Sequence, residues 1–240
     1  MEPKTVVAPP PKDEILPQSW PGAFGLYKYA KAAVLYNWRS YMALILLYVG
    51  FTILLSIIER SVVPYNDSGT PSEYGVPYFA LQVVNLVVGS ALTAALIFVL
   101  LKGIGRVKTS FAEACAVMGT YVLPIFLQSL LAMLIIVASA ALFIIPVFFI
   151  APRLVLAQYF IVDKNMGPVE SIRASWNATK GNVGKVYGIF GATLVMSLLM
   201  LTIIGIPFAL YFLLMYSAAY PLLYVWAMRR TEVVAPAPAE

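Results

Sequence analysis

The chain has 240 residues, of which 61% are hydrophobic and 11% charged, with a net charge of +5 and no histidine. Soluble proteins carry about 25% charged residues, and the mean hydropathy of +0.86 puts this chain in the membrane class. The missing histidine excludes His-based acid/base chemistry, Ser-His triads and imidazole ligation of metal or haem, and the single cysteine, Cys115, excludes an intrachain disulfide.

Residues 1–20 are Pro-rich and charged (VVAPPPKDE) and hold no apolar core of the signal-peptide kind. They read as a disordered tail, and the first hydrophobic segment then acts as an uncleaved anchor. Residues 231–240 (TEVVAPAPAE) read as a second disordered tail. Between them, residues 21–230 form one membrane domain.

Two helices are predicted at about residues 41–58 and 78–101, each free of charge. Residues 121–162 would make one helix of roughly 63 Å, about twice a 30 Å hydrocarbon core, so the segment must fold into two spans. The turn falls near residues 140–146. Residues 186–228 divide likewise, at Ile204-Gly205-Ile206-Pro207. Pro146 and Pro207 then sit in the first turn of each returning helix, where a missing N–H costs nothing.

With six spans alternating, the N-terminus, the 102–120 loop, the 163–185 loop and the C-terminus share one side. That side collects 14 of the 16 Lys and Arg residues; the other holds only Arg60, in a loop with Asp67 and Glu73. Basic loops stay cytoplasmic, so the expectation is a multi-pass inner (cytoplasmic) membrane protein with both termini in the cytoplasm. The net charge is topogenic, and nucleic acid drops out as a partner.

Each pair of spans follows a segment of amphipathic character. Before the third pair, Val169, Ile172, Trp176, Thr179 and Val183 recur at helical spacing, with Glu170, Arg173, Asn177 and Lys180 on the other side. Gly167-Pro168 opens this helix and Gly181 closes it. A tryptophan with basic neighbours suits the headgroup region. Before the second pair, Ser110 to Glu113 spells a capping box. Glu113 and Glu170 stand 33 and 37 residues before Pro146 and Pro207, at equivalent places. Before the first pair, residues 21–39 carry Phe24, Tyr27, Val34 and Trp38, interrupted by Lys31. The predicted fold is therefore all-α and polytopic: six transmembrane helices in three hairpins, each preceded by a short interfacial amphipathic helix. Three copies of one parallel unit, or convergence of basic amphipathic loops, would both produce this pattern.

Residues 171–182, SIRASWNATKGN, carry an R-x-S-W-x-x-T-x-G-N stretch, preceded by Pro146, Arg153 and Asp163. Over residues 110–230 this resembles the membrane domains found beside glycerophosphoryl diester phosphodiesterases and their stand-alone relatives. The resemblance implies a six-helix membrane domain and no phosphodiesterase activity, since the soluble catalytic domain and its histidines are absent from this sequence. Ala174 departs from the family, which often has a second basic or polar residue there.

Arg153 is the one charge inside a predicted span, and burying a charge in the bilayer is expensive enough to mark it as a candidate site. Its partner would be backbone carbonyls freed by Pro152, a Tyr hydroxyl, Gln128, or a bound anion such as a lipid phosphate. Arg173, Lys180, Lys185 and Trp176 are the accompanying lipid-contact candidates. Gln82 and Asn85, at i and i+3 ahead of Gly89, share a helix face that either lines a polar path, with Gln128, or hydrogen-bonds a neighbour. Asn66-Asp67-Ser68 fits an N-x-S pattern with no expected role. No catalytic residue, metal site or cofactor is expected. The predicted function is a non-catalytic integral membrane protein that contacts anionic lipid headgroups and organises membrane or assists a partner. The alternative is a small permease or lipid transporter using Arg153 and the amide face of the second helix. Expected partners are anionic membrane lipids, then a membrane protein or a second copy of the chain.

Overall fold

The structure, a computed structural model, describes residues 15–17, 19–66, 71, 75–142 and 144–234. Ten α-helices are described: α1 (Leu26–Tyr36), α2 (Trp38–Val62), α3 (Val76–Ile104), α4 (Phe111–Leu142), α5 (Ile144–Leu154), α6 (Ala157–Lys164), α7 (Pro168–Ala178), α8 (Val183–Leu198), α9 (Gly205–Tyr216) and α10 (Ala219–Val234). Only helices satisfy their own backbone groups inside a bilayer without closing a barrel. Six segments are long and apolar enough to cross: Trp38–Val62, Val76–Ile104, Phe111–Ala141, Pro146–Lys164, Val183–Leu201 and Gly205–Arg229. The chain is a multi-pass, all-α membrane protein. Outward-facing Leu46, Ile53, Leu134, Phe149 and Ile203 are exposed, as lipid-facing side chains must be.

The hairpin turns fall close to where the sequence puts them. α4 ends at Leu142 and α5 begins at Ile144, with Pro146 in its first turn. The last turn comes slightly early, at residues 202–204, after a 3-10 turn at Leu199–Leu201. Gly205 follows it, and its N–H donates to the Thr202 hydroxyl at 3.1 Å. A Cβ at Gly205 would lie 2.0 Å from the Leu199 carbonyl oxygen, so the chain can reverse there only at a glycine.

The short helices are less regular than the sequence implies. α1 and α7 are separate elements, but the second pair has none: α4 runs unbroken for 32 residues. At 1.5 Å per residue that is about 48 Å, so the amphipathic turn expected ahead of the span is fused to it. Nothing between Glu113 and Tyr121 stops the helix, and Gly119 alone costs only about 1 kcal/mol. The capping box does form: the Ser110 hydroxyl accepts the Glu113 N–H at 3.2 Å, and the Glu113 carboxylate accepts the Ser110 N–H at 3.1 Å. Glu170 reaches back likewise to the Gly167 N–H at 3.4 Å. The equivalence of the two glutamates is one of capping.

Both tail boundaries move. Ile15 is buried and its N–H donates to the Ile104 carbonyl at 3.0 Å, while Trp20 packs edge-on against Trp226 at 5.5 Å. Part of the segment assigned to the first tail is thus packed on the bundle. At the other end α10 continues to Val234. The rest of both tails, together with Asp67 and Ser68 of the N-x-S pattern, lies outside the described residues.

α1 is docked firmly. It crosses α3 where Gly103 faces Ala33, and a Cβ at Gly103 would stand 2.4 Å from the Ala33 carbonyl oxygen. Asn37, in the one-residue joint between α1 and α2, is buried and holds the loop after α3. Its amide nitrogen donates to the Val107 carbonyl at 2.9 Å, and its amide oxygen accepts the Thr109 N–H at 3.1 Å. The main core gathers Leu26, Leu44, Leu100, Ile104, Ile189 and Leu222 from α1, α2, α3, α8 and α10.

Candidate functional site

The fourth span is broken, and the break organises the site. Pro152 lies inside α5. It has no N–H, so the carbonyl four residues back, that of Phe148, loses its intrahelical donor. The Tyr187 hydroxyl, from α8, donates to that carbonyl instead. The helix then gives way at Val155-Leu156 and restarts as α6. One hydroxyl bridges the gap: Ser175 of α7 donates to the Arg153 carbonyl at 2.6 Å and accepts the Leu156 N–H at 3.2 Å.

Ser175 can do this because of how α7 packs. The helix turns two faces. Ser171, Ser175 and Thr179, spaced four apart, are all fully buried, the small-residue contact that lets helices approach closely. Ala174 packs beside them against the Leu156, Phe160 and Tyr224 cluster. Val169 and Trp176 face outward, 60% and 40% exposed. Arg173 and Lys180 are exposed on that same outward face, four and eleven residues after Val169. Thr179, grouped with the apolar stripe on spacing, belongs to the buried hydroxyl face.

Arg153 lies near the middle of the Pro146–Lys164 span. Its guanidinium carbon is 5.4 Å from the Trp176 ring centroid, close enough for a cation–π contact. Nη1 is buried and has no hydrogen-bond partner among the described residues. Among the described residues none of the expected partners hydrogen-bonds Nη1. The carbonyl freed by Pro152 accepts a hydrogen bond from the Tyr187 hydroxyl. Gln128 is buried with its own Oε1 unpartnered. Asp163 accepts from the Tyr224 hydroxyl at 2.6 Å and pairs with Lys164 at 3.6 Å. The guanidinium is thus supported on one side by an indole and unmet at Nη1.

Lys185 is placed differently from Arg173 and Lys180. Its ammonium sits 3.7 Å from the Trp226 ring centroid and 5.5 Å from that of Trp20, and it donates to the Asn182 amide oxygen. It is a packed cation at the base of α8, holding Trp20 against α10. Other basic residues also rest on rings: Lys31 on Tyr211, Lys102 on Phe98 and Lys108 on Tyr36. A hydrogen bond with the Tyr211 hydroxyl raises the Lys31 pKa above its ordinary value.

Gln82 and Asn85 do not approach Arg153 through any shared lining. With Gly89 they face a cleft of about 520 Å³ between α2, α3, α4 and α6, which Arg153 does not line. Gln128 is not part of that lining either, although its neighbour Ser129 is. The sequence-predicted site therefore separates into a cation–indole pair at the α5–α7 contact and a polar cleft elsewhere.

Ser175, Tyr187, Asn37 and Tyr224 were not singled out from sequence. The four-residue repeat of Ser171, Ser175 and Thr179 is a signal that could have found the first; the tyrosines carry none. No protein-family model matches the chain, and no curated protein or solved structure matches it.

Proposed function

We propose that this membrane protein binds the phosphate of an acidic lipid at Arg153 and Trp176, without catalysing a reaction, and through that contact organises membrane or assists a partner. The observation that carries the reading is the half-buried Arg153 near mid-span, its guanidinium over Trp176 and its Nη1 without a hydrogen-bond partner among the described residues. A guanidinium left partly unpaired in a low-dielectric site costs free energy that an anionic oxygen would recover. Exposed Arg173 on the same short helix and Lys180 in the turn after it would add long-range attraction to an anionic surface. The placement of Lys and Arg supports an inner-membrane orientation with both termini in the cytoplasm.

The test is native mass spectrometry of purified wild type and Arg153→Gln, which keeps donors and removes the charge. Loss of a co-purified acidic lipid from a folded variant is the expected result. Equal lipid retention in both proteins would overturn the assignment. A second reading, a small permease, rests on the amide-lined cleft and uses no residue of the Arg153 pair.

A further inference from the structure

The cleft between α2, α3, α4 and α6 is an unusual thing to find in a membrane span. Gln82, Asn85 and Thr93 come from α3, Tyr48 from α2, Ser129 from α4 and Gln158 from α6. Gln82 and Thr93 are eleven residues apart on one helix, so the polar lining runs about 16 Å along α3, half of a 30 Å hydrocarbon core. Gln82 and Asn85 make no hydrogen bond to any described residue, and Gln158 reaches Ser129 only at 3.5 Å. A polar group stripped of water without a partner costs several kcal/mol. Gln82 and Asn85 are half-buried, so their amides stay available to bond whatever fills the cleft, water or a ligand.

The lining sets the chemistry of that occupant. Among the described residues no Lys, Arg, Asp or Glu borders the cleft, so a charged ligand would meet no counter-charge from them, at a large desolvation penalty. Each amide presents two donors and a carbonyl acceptor, and the Thr, Ser and Tyr hydroxyls both donate and accept. A group that donates and accepts at each of its atoms satisfies such a surface whichever way the amides turn, and hydroxyls do this. The volume falls within the range of small-molecule sites. Gly89 forms an open part of the wall, where an added Cβ would meet nothing within 4 Å, so a side chain there would project into the space.

We propose that this cleft binds an uncharged polyhydroxyl group, either a free polyol or the sugar headgroup of an uncharged glycolipid. The site is independent of the Arg153 assignment, since the two share no residue.

The test uses the full chain in phosphatidylcholine nanodiscs, with Cys115→Ser and a reporter thiol introduced by Thr93→Cys, labelled with N-ethylmaleimide. One arm adds galactitol to the buffer; another adds monogalactosyl diacylglycerol to the bilayer; controls add inorganic phosphate or phosphatidylglycerol. The reporter should label in phosphatidylcholine alone, and one of the two hydroxylated probes should slow labelling about fivefold when it exceeds its dissociation constant severalfold. Protection by galactitol identifies a free polyol, and protection by the galactolipid alone identifies a lipid headgroup. The charged controls should not protect. Adding Gln82→Leu with Asn85→Leu, or Gly89→Leu alone, should abolish protection; the second variant removes no polar group and covers the case in which the first fails to fold. A thiol that never labels, no protection by either hydroxylated probe, equal protection by the charged controls, or protection that survives in the folded variants would each overturn the proposal.

Discussion

The Ser175 hydroxyl stands 2.6 Å from the Arg153 carbonyl oxygen while accepting the Leu156 N–H at 3.2 Å, so one side chain of α7 closes the gap between two halves of a membrane span. Both backbone groups would otherwise be orphans where no water can serve them. Ser175→Ala should therefore destabilise the protein by about 1–3 kcal/mol, the range for leaving a buried group unsatisfied. Equilibrium unfolding in detergent micelles would measure it, and a change below a few tenths would show that the gap needs no bridge.

Tyr187 and Pro152 form a second such pairing across the Phe148 carbonyl. Tyr187→Phe should cost about 0.5–1.5 kcal/mol, the net worth of one hydrogen bond. In a Pro152→Ala background the restored N–H supplies the carbonyl from within α5, and the same change should then cost little. A double-mutant cycle reads the difference as coupling energy. Equal costs in both backgrounds would mean the tyrosine is not answering the proline.

Span number, hairpin pairing and turn positions were legible because they follow from the length of uncharged runs against a fixed bilayer thickness. The 42-residue stretch before Val162 had to fold back, and Pro146 and Pro207 mark where. Finer features were not legible for a physical reason. Whether the segment after Ser110 forms its own helix depends on a breaker between Glu113 and Tyr121, and none stands there; Pro124 lies further on, within α4. The depth and partner of Arg153 depend on a helix break set three residues beyond Pro152 and on α7 packing through its hydroxyl face. Apolar spacing cannot rank a Ser-Ser-Thr stripe above a Val-Ile-Trp stripe in a membrane protein, since the apolar stripe can face lipid and the small one the bundle. Lys185 read as a lipid contact because its ring partners, Trp20 and Trp226, are far away in sequence.

Topology is checked directly. Reporters fused at both termini should register in the cytoplasm, and one inserted between Pro64 and Gly75 should register outside, since the basic residues crowd the loops on the opposite side. Termini on opposite sides would require an odd number of crossings and would break the pairing of spans into hairpins.

Charge reversal separates the basic residues that could meet lipid from those already packed. Arg173 and Lys180 are exposed beside Trp176, and each basic residue near an anionic surface contributes about 1 kcal/mol of attraction. Arg173→Glu with Lys180→Glu should thus weaken binding to phosphatidylglycerol vesicles markedly while leaving the unfolding midpoint almost unchanged. Lys185 lies against Trp226 at 3.7 Å with Trp20 beyond it, and a well-seated cation–π contact is worth about 0.5–2 kcal/mol. Lys185→Gln, which keeps a hydrogen-bond donor for Asn182 but loses the cation, should lower stability by that amount and leave vesicle affinity nearly intact. The two readouts therefore move in opposite patterns. If Lys185→Gln weakens lipid binding as strongly as the α7 reversals and leaves stability untouched, the indole pair is incidental and the ammonium faces the headgroups.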